Sequence, residues 1–268
     1  MKYDLTQARK CIETLDKRRF DRALLGSGDA FRHIVSLVPL LLHLNHPALP
    51  GYVEDAPAGI ADFTLSNYQQ NFLSKEHPEL VEDVQSAVNS DAVFAPIFGI
   101  YVMGSFGSIS QTSASDLDIW ICHQDDLSEQ DQQRLAEKTK KITQWASTFH
   151  VEMHFYLMTQ KRFRNERYSD PLTKENSGSA QYMLLLEEFY RSAVRLSGKP
   201  LLWLHLWVED EKQYEAEVAR LVAEGELNPN DWVDFGGLGQ FSASEYFGAS
   251  LWQLYKGIDS PYKSVMKI

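Results

Sequence analysis

Apolar residues recur at helical spacing over residues 4–25, "DLTQARKCIETLDKRRFDRALL", and again over 29–44, "DAFRHIVSLVPLLLHL", where Pro39 is expected to kink the second helix or end it early. The stretch "NHPALPGYVEDAPAGI" is rich in Pro and Gly and reads as a long connection, followed by polar helical segments at about 66–76 and 78–90. The pattern then changes. "PIFGIYVM", 96–103, is a short apolar run of β-branched and aromatic residues that predicts a buried strand, and "DLDIWIC", 116–122, predicts a second. "SEQDQQRLAEKTKKITQWASTF", 128–149, opens with Ser128 and Asp131 at capping-box spacing. Its Leu135, Ile142, Trp145, Ala146 and Phe149 form one stripe, so an amphipathic helix is predicted. "HVEMHFYLM", 150–158, supplies a third strand, and strand, strand, helix, strand makes a compact α/β unit.

After a polar loop at 160–177, a helix over "AQYMLLLEEFYRSAVRL" is expected to run to the glycine of "SGKP", and "LLWLHLWV", 201–208, reads as another buried strand. Helices follow at 210–224 and about 242–257, and the closing "SPYKSVMKI" carries no stop signal, which suggests a fragment of something longer. The predicted class is α+β (mixed α/β): a central mixed sheet flanked by helices. The expected division is a helical N-terminal segment (1–92), a core (93–208) and a second helical segment (209–268).

With 268 residues, 44% of them hydrophobic, the chain can bury one large core or two modest ones. Its two cysteines, Cys11 and Cys122, indicate neither a disulfide framework nor a cysteine zinc site. The N-terminus is charged throughout and no run of roughly 18 apolar residues occurs, so no membrane span is expected and cytoplasm is the default location. A formal charge of −11 argues against nucleic acid as a partner, because backbone binding needs clustered Lys and Arg. It does not exclude a small anionic ligand, which needs only a few local cations or a metal ion.

Candidate chemistry concentrates in "VMGSFGSISQTSASDLDIWIC", 102–122. Strand alternation sets Asp116 and Asp118 on one face with Trp120, while Leu117, Ile119 and Ile121 take the other. Neighbouring carboxylates in an apolar strand repel and lose solvation unless a cation neutralises them, and carboxylate oxygens suit Mg²⁺. On the next strand Glu152 shares a face with His150 and His154, opposite Val151, Met153 and Phe155. It is the candidate third carboxylate of a site in which two ions clamp a phosphoryl displacement. Gly104 permits close backbone approach, and the Ser105 hydroxyl with successive amides can cradle phosphates. "GSFGS" lacks the G-K-[ST] of a P-loop, and Asp-x-Asp alone is common in loops. The joint arrangement carries the reading.

That arrangement resembles the nucleotidyltransferase superfamily of DNA polymerase beta, whose pattern is a strand, Gly-Ser and then Asp-x-Asp: here Gly104, Ser105, Asp116 and Asp118. More narrowly, "YVMGSFGSISQTSASDLDIWICH", "LLLEEFYRSAVRLSGK", "DWVDFGGL" and "SASEYFGASLWQLYKGIDSPYKSVMK" are similar to the N-terminal catalytic part of the class I adenylate cyclases of enteric and related gammaproteobacteria. The similarity covers nearly the whole chain, including "LVPLLLHLNHPALPGY". It implies a polymerase beta-like fold with its catalytic core at 93–208, and conversion of ATP to 3′,5′-cyclic AMP and pyrophosphate. It also implies Mg²⁺ as cofactor, two ions with Mn²⁺ as a substitute, and a C-terminal regulatory part, absent from this chain, that responds to the sugar phosphotransferase system.

Carried over by position, Ser105 would contact phosphate, Ser115 support the start of the strand, Asp116 and Asp118 hold metal, and Trp120 shape the nucleotide pocket. Glu152 sits where the superfamily places its third carboxylate, with a residue beyond 268 as the alternative. Arg191, Lys199 and Lys263 flank apolar helices at turns and are the candidates to meet the triphosphate, Arg191 with Arg195 at i, i+4 on one predicted helix face. His33, His43 and His123 read as structural or solvated. The expected chemistry is in-line attack of the ribose 3′-hydroxyl on the α-phosphorus. The rivals are a transferase of the same superfamily with an external hydroxyl acceptor and a non-catalytic nucleotide-binding module.

Overall fold

The structure, a computed structural model, describes residues 4–82, 84, 95–112, 115–165, 182–206, 208, 210–238, 243–258 and 264. Helix α1 (Leu5–Leu25) begins where the Asp4 carboxylate accepts from the Gln7 amide at 2.9 Å, and it stops at Gly26. Helix α2 (Asp29–His43) buries Ile34, Val35 and every residue from Leu37 to His43. That burial explains why the helix does not end at Pro39. The ring costs about 3 kcal/mol inside a helix, whereas each buried Leu, Ile or Val returns about 1.5–3 kcal/mol. Helix α3 (Asn67–Glu76) starts at a reciprocal Ser66/Gln69 capping box. Of the helical segment expected at 78–90, Pro78–Leu80 forms a 3₁₀ turn and residues 81, 82 and 84 are helical. The remainder lies outside the described residues.

Strands β1 (Ile97–Met103) and β2 (Leu117–His123) pair antiparallel. Helix α4 (Glu129–Ser147), capped by Ser128 as its spacing predicted, then crosses over to β3 (Met153–Met158), which lies parallel to β2. Short α5 (Gln160–Asn165) and α6 (Tyr182–Ser192) lead to β4 (Val194–Gly198), antiparallel to β1, so the order across the sheet is β3-β2-β1-β4. Because both faces of the sheet are covered, β1 and β2 read as near-continuous apolar runs. Ile100, Val102, Leu117, Ile119 and Ile121 join a core with residues of α2 and α4, such as Leu41 and Ile142. Tyr101, Met103, Trp120 and Cys122 join a second core with Phe189 and Tyr190 of α6, and with Val233 and Phe235. Helices α7 (Tyr214–Ala223) and α8 (Ala243–Lys256) complete the order. No described helix is long and apolar enough to cross a membrane.

The mixed α+β class is as predicted, but the polar loop expected at 160–177 opens with helix α5, and three further elements differ. The helix expected to reach the Gly198 turn stops at Ser192, and Val194–Gly198 is a strand. There Val194 and Leu196 turn to the first core while Arg195 and Ser197 alternate away, so Arg191 and Arg195 do not share a helix face. Among the described residues of 201–208 no strand forms. Leu201 makes a single bridge to Val233, and Leu202–Leu204 is a 3₁₀ turn. Leu202 and Leu206 are buried together at i, i+4 beside Tyr214, Leu221 and Trp232, a helical rather than an alternating pattern. The third strand starts at Met153 instead of 150, because His150 adopts φ 59° and ends the turn after α4.

Candidate active site

The β1–β2 hairpin brings the glycine turn against the second aspartate. Met103 is the register partner of Asp118, and Gly104 follows with φ 85°, a left-handed conformation that side chains resist. A Cβ built there would stand 3.8 Å from Asp118 Oδ2, so the missing side chain leaves open room directly beside a carboxylate oxygen. The amide of Gly104 donates to Ser192 Oγ at 3.0 Å, and that hydroxyl donates to the Glu188 carbonyl at 2.6 Å. Ser105 is buried, and its carbonyl accepts from the Ser108 amide (2.9 Å) and Ser108 Oγ (2.7 Å). The Gly107 amide donates to Gln111 Oε1 at 2.7 Å. The amides of Ser105 and Phe106 therefore remain as turn donors without an acceptor among the described residues.

Asp116 and Asp118 are half-buried. The parallel register sets Asp118 beside His154 and Trp120 beside Tyr156, and the Tyr156 hydroxyl donates to Asp118 Oδ1 at 3.3 Å. Glu152 lies just before β3, where its carbonyl accepts from the Leu117 amide at 3.0 Å. Its side chain is 72% exposed and sits 3.3 Å from His154 Nε2. Among the described residues no three His, Cys, Asp or Glu side chains gather as a metal site. Asp118, with the open space at Gly104 beside its Oδ2, nevertheless offers the hard carboxylate oxygen that a divalent cation takes, its shell completed by phosphate oxygens and water.

Trp120 forms a floor under this face rather than an open wall. It is 2% exposed and stacks on Phe189 with centroids 4.0 Å apart, among Phe163 and Phe235, and its buried Nε1 has no acceptor among the described residues. The "DWVDFGGL" segment holds Phe235 in place. Asp234 Oδ1 accepts from Tyr214 OH (3.0 Å) and the Gly236 amide (2.9 Å), and Asp234 also pairs with Arg164. Burial raises the Asp234 carboxyl above its ordinary range, and Arg164 opposes that rise.

Ser115 Oγ accepts from the Thr112 amide at 2.9 Å, closing a small turn just before β2. Arg191 is exposed and paired with Glu187. Lys199 stands at the far end of β1 from Gly104. Its ammonium lies 4.5 Å from the Phe98 ring centre and its amide bonds the Phe98 carbonyl. Arg195 reaches Gly198 O and Glu13. Lys263 lies outside the described residues. Gly104, Ser105 and Asp118 are thus brought together, and Lys199 is not. Sequence reasoning missed Tyr156, which the period-two face of His154 already pointed to, and Ser192 and Gln111, which bond the Gly104 and Gly107 amides, backbone groups with no sequence signature.

A model of the family described as "Adenylate cyclase NT domain" matches residues 4–204, and one described as "Adenylate cyclase, class-I, second domain" matches 241–268. The chain belongs to the class I adenylate cyclase family. Within it, the adenylate cyclase of Haemophilus influenzae is 67% identical over 100% of this chain, which corresponds to 32% of that protein. That of Pasteurella multocida is 61% identical over the same shares, and that of Escherichia coli K12 is 45% identical over 96% of this chain and 30% of its own length. The chain thus spans about a third of the family members it matches. No solved structure matches it.

Proposed function

We propose that this chain carries the active site of an adenylate cyclase that converts ATP to 3′,5′-cyclic AMP and pyrophosphate. The observation that carries the reading is the Gly104–Asp118 contact: a left-handed glycine whose absent Cβ leaves room 3.8 Å from a strand carboxylate, in a chain of this family. The Gly104–Ser108 turn receives the β- and γ-phosphates, with the amides of Ser105 and Phe106 and the Ser105 hydroxyl as donors. Asp116 and Asp118 hold Mg²⁺, and Tyr156 orients Asp118 through its hydroxyl. Glu152, exposed and paired with His154, is the third carboxylate of a two-ion site once its side chain leaves that histidine. Mg²⁺, when bound, neutralises the triphosphate and the charge that develops on the attacking and leaving oxygens.

The protein's part in the reaction follows from this placement. A carboxylate of the acidic set accepts the ribose 3′-OH proton as O3′ forms its bond to the α-phosphorus. The bond from that phosphorus to the bridging oxygen breaks in line, and pyrophosphate is left in the glycine turn. Trp120, fixed by Phe189 and Phe235, supports the face from below. The division at 1–92, 93–208 and 209–268 is kept as part of the reading. So are a cytoplasmic location and regulation through the sugar phosphotransferase system by the portion that the relatives carry beyond this chain.

The test is product analysis with ATP and Mg²⁺ alone, on the parent chain and on Asp116→Asn and Asp118→Asn. The parent should form cyclic AMP and bind a non-hydrolysable ATP analogue in a Mg²⁺-dependent way, and each variant should keep its melting temperature and lose at least about 100-fold in turnover. Either variant working at the parent rate would remove the metal assignment. A parent that forms product only with an added hydroxyl acceptor would be a transferase, and one that binds the analogue without any turnover a binding module.

A further inference from the structure

We infer that helix α1, chemically unremarkable in the sequence, is part of the site, and that Arg19 is the positioning residue that sets the backbone of the phosphate turn; this rests on the cyclase reading. The Arg19 guanidinium donates to three main-chain carbonyls: Phe106 at 3.0 Å, Ser192 at 2.6 Å and Ala193 at 3.1 Å. The first belongs to the turn. The other two belong to the junction between α6 and β4, and Ser192 is the residue whose hydroxyl holds the Gly104 amide. One side chain therefore ties the turn to its own anchor.

Two further contacts with α1 support this role. Gly107, at φ 64°, lies so close to the helix that a Cβ would fall 2.3 Å from the Arg19 carbonyl oxygen. Gln111, which accepts the Gly107 amide, donates to the Ala23 carbonyl (3.3 Å) and Ser27 Oγ (3.1 Å) at the end of the same helix. Phe106 itself is 2% exposed, its ring 5.9 Å from that of Phe20 on α1 and 6.3 Å from that of Phe31. A planar guanidinium sets its donors on separate nitrogens in a fixed fork, whereas an ammonium carries three donors on one nitrogen and cannot reach these three carbonyls with the same geometry. Burial pulls the guanidinium below its ordinary pKa, and Asp16, one turn earlier on α1, offsets that in part. The cation's direct partners are thus neutral oxygens, and its task is to orient backbone rather than to balance a carboxylate.

The experiment compares Arg19→Lys, Arg19→Met and Gln111→Ala with the parent in the same 268-residue chain. It reads melting temperature, kcat and KM for MgATP, and calorimetric affinity for a non-hydrolysable ATP analogue and for adenosine. A displaced turn should weaken the ATP analogue at least tenfold and raise KM for MgATP by a similar factor, with adenosine affinity unchanged. Arg19→Lys should recover less than half of the lost affinity. A purely structural arginine would lower the melting temperature and the active fraction yet leave KM and the analogue affinity of the folded protein at parent values, and that result overturns the inference. Equal weakening of adenosine and analogue also overturns it. If Arg19→Met does not fold, Arg19→Lys and Gln111→Ala carry the same comparison. A parent that binds no ATP analogue sinks the cyclase reading and this one together, whereas an active parent with unaffected variants sinks this one alone.

Discussion

Gly104→Ala separates two effects of one methyl group. Holding an alanine at φ 85° costs about 1–2 kcal/mol, partly offset by about 0.4–1 kcal/mol because the unfolded chain loses freedom. The net, about 0–1.6 kcal/mol, is in a chain of this size a fall of up to roughly 6 °C in melting temperature. Gly225 is the matched control: it adopts φ 71° after α7, and a Cβ there meets nothing within 4 Å. Gly225→Ala should therefore show a similar thermal loss. The new methyl at 104 makes only ordinary contact with Asp118 Oδ2, at 3.8 Å, so the unliganded fold accepts it. A Mg²⁺ ion held by Asp118, by contrast, would need about 2.1 Å to a carboxylate oxygen and room for phosphate oxygens beside it. We expect Gly104→Ala to lose at least about 100-fold in kcat/KM, about 2.7 kcal/mol, while Gly225→Ala stays within about twofold of the parent. Cyclic AMP formation from MgATP, with calorimetric melting of the same samples, gives both numbers. Parent-level turnover by Gly104→Ala, at a melting temperature matching the control, would refute the placement of phosphate and metal beside this turn.

Two further outcomes follow from buried groups elsewhere. His43 is buried, its ring stacked 3.9 Å from that of Phe63, its Nδ1 accepting the Ile60 amide, and burial lowers its pKa to about 4. The unfolded chain binds a proton there below about 6.5 and the folded chain does not, so stability should fall by up to about 3 kcal/mol as pH drops from 6.5 to 4. Urea unfolding at several pH values should show a smaller acid loss for His43→Asn, and an unchanged slope would count against the assignment. Cys122 is buried and its thiol is pushed far up by burial, whereas Cys11 is exposed. A disulfide reagent should therefore label one thiol in the native protein and both in urea; immediate labelling of two would contradict the burial.

What the sequence disclosed depended on the range of the interaction. The amphipathic stripe of α4 and the apolar runs of β1 and β2 are local periodicities, and all three elements are where they were expected. The short strand β4 escaped notice because "EEFYRS" already satisfies a helical period and runs straight into "VRLSG". Leu202–Leu204 was misread because a buried turn and a buried strand are both continuous apolar runs. In the candidate site, Gly104, Ser105, Asp116 and Asp118 stand out because a tight turn and a period-two strand fix their neighbours. Arg19 and Ser192 bond to carbonyls and amides that every residue carries, as Gln111 does at Gly107, so nothing at those positions marks the contact.

The reach of the Arg19 bonds has a kinetic meaning. The β1–β2 hairpin closes over residues 104–116, yet the guanidinium contacts that seat its turn span 87 and 174 residues of chain. Loop-closure entropy delays such contacts relative to the hairpin. A folding or newly made chain would thus form the β1–β2 hairpin before its turn is seated, and the final conformation of the turn would arrive late, when α1 and β4 dock against it.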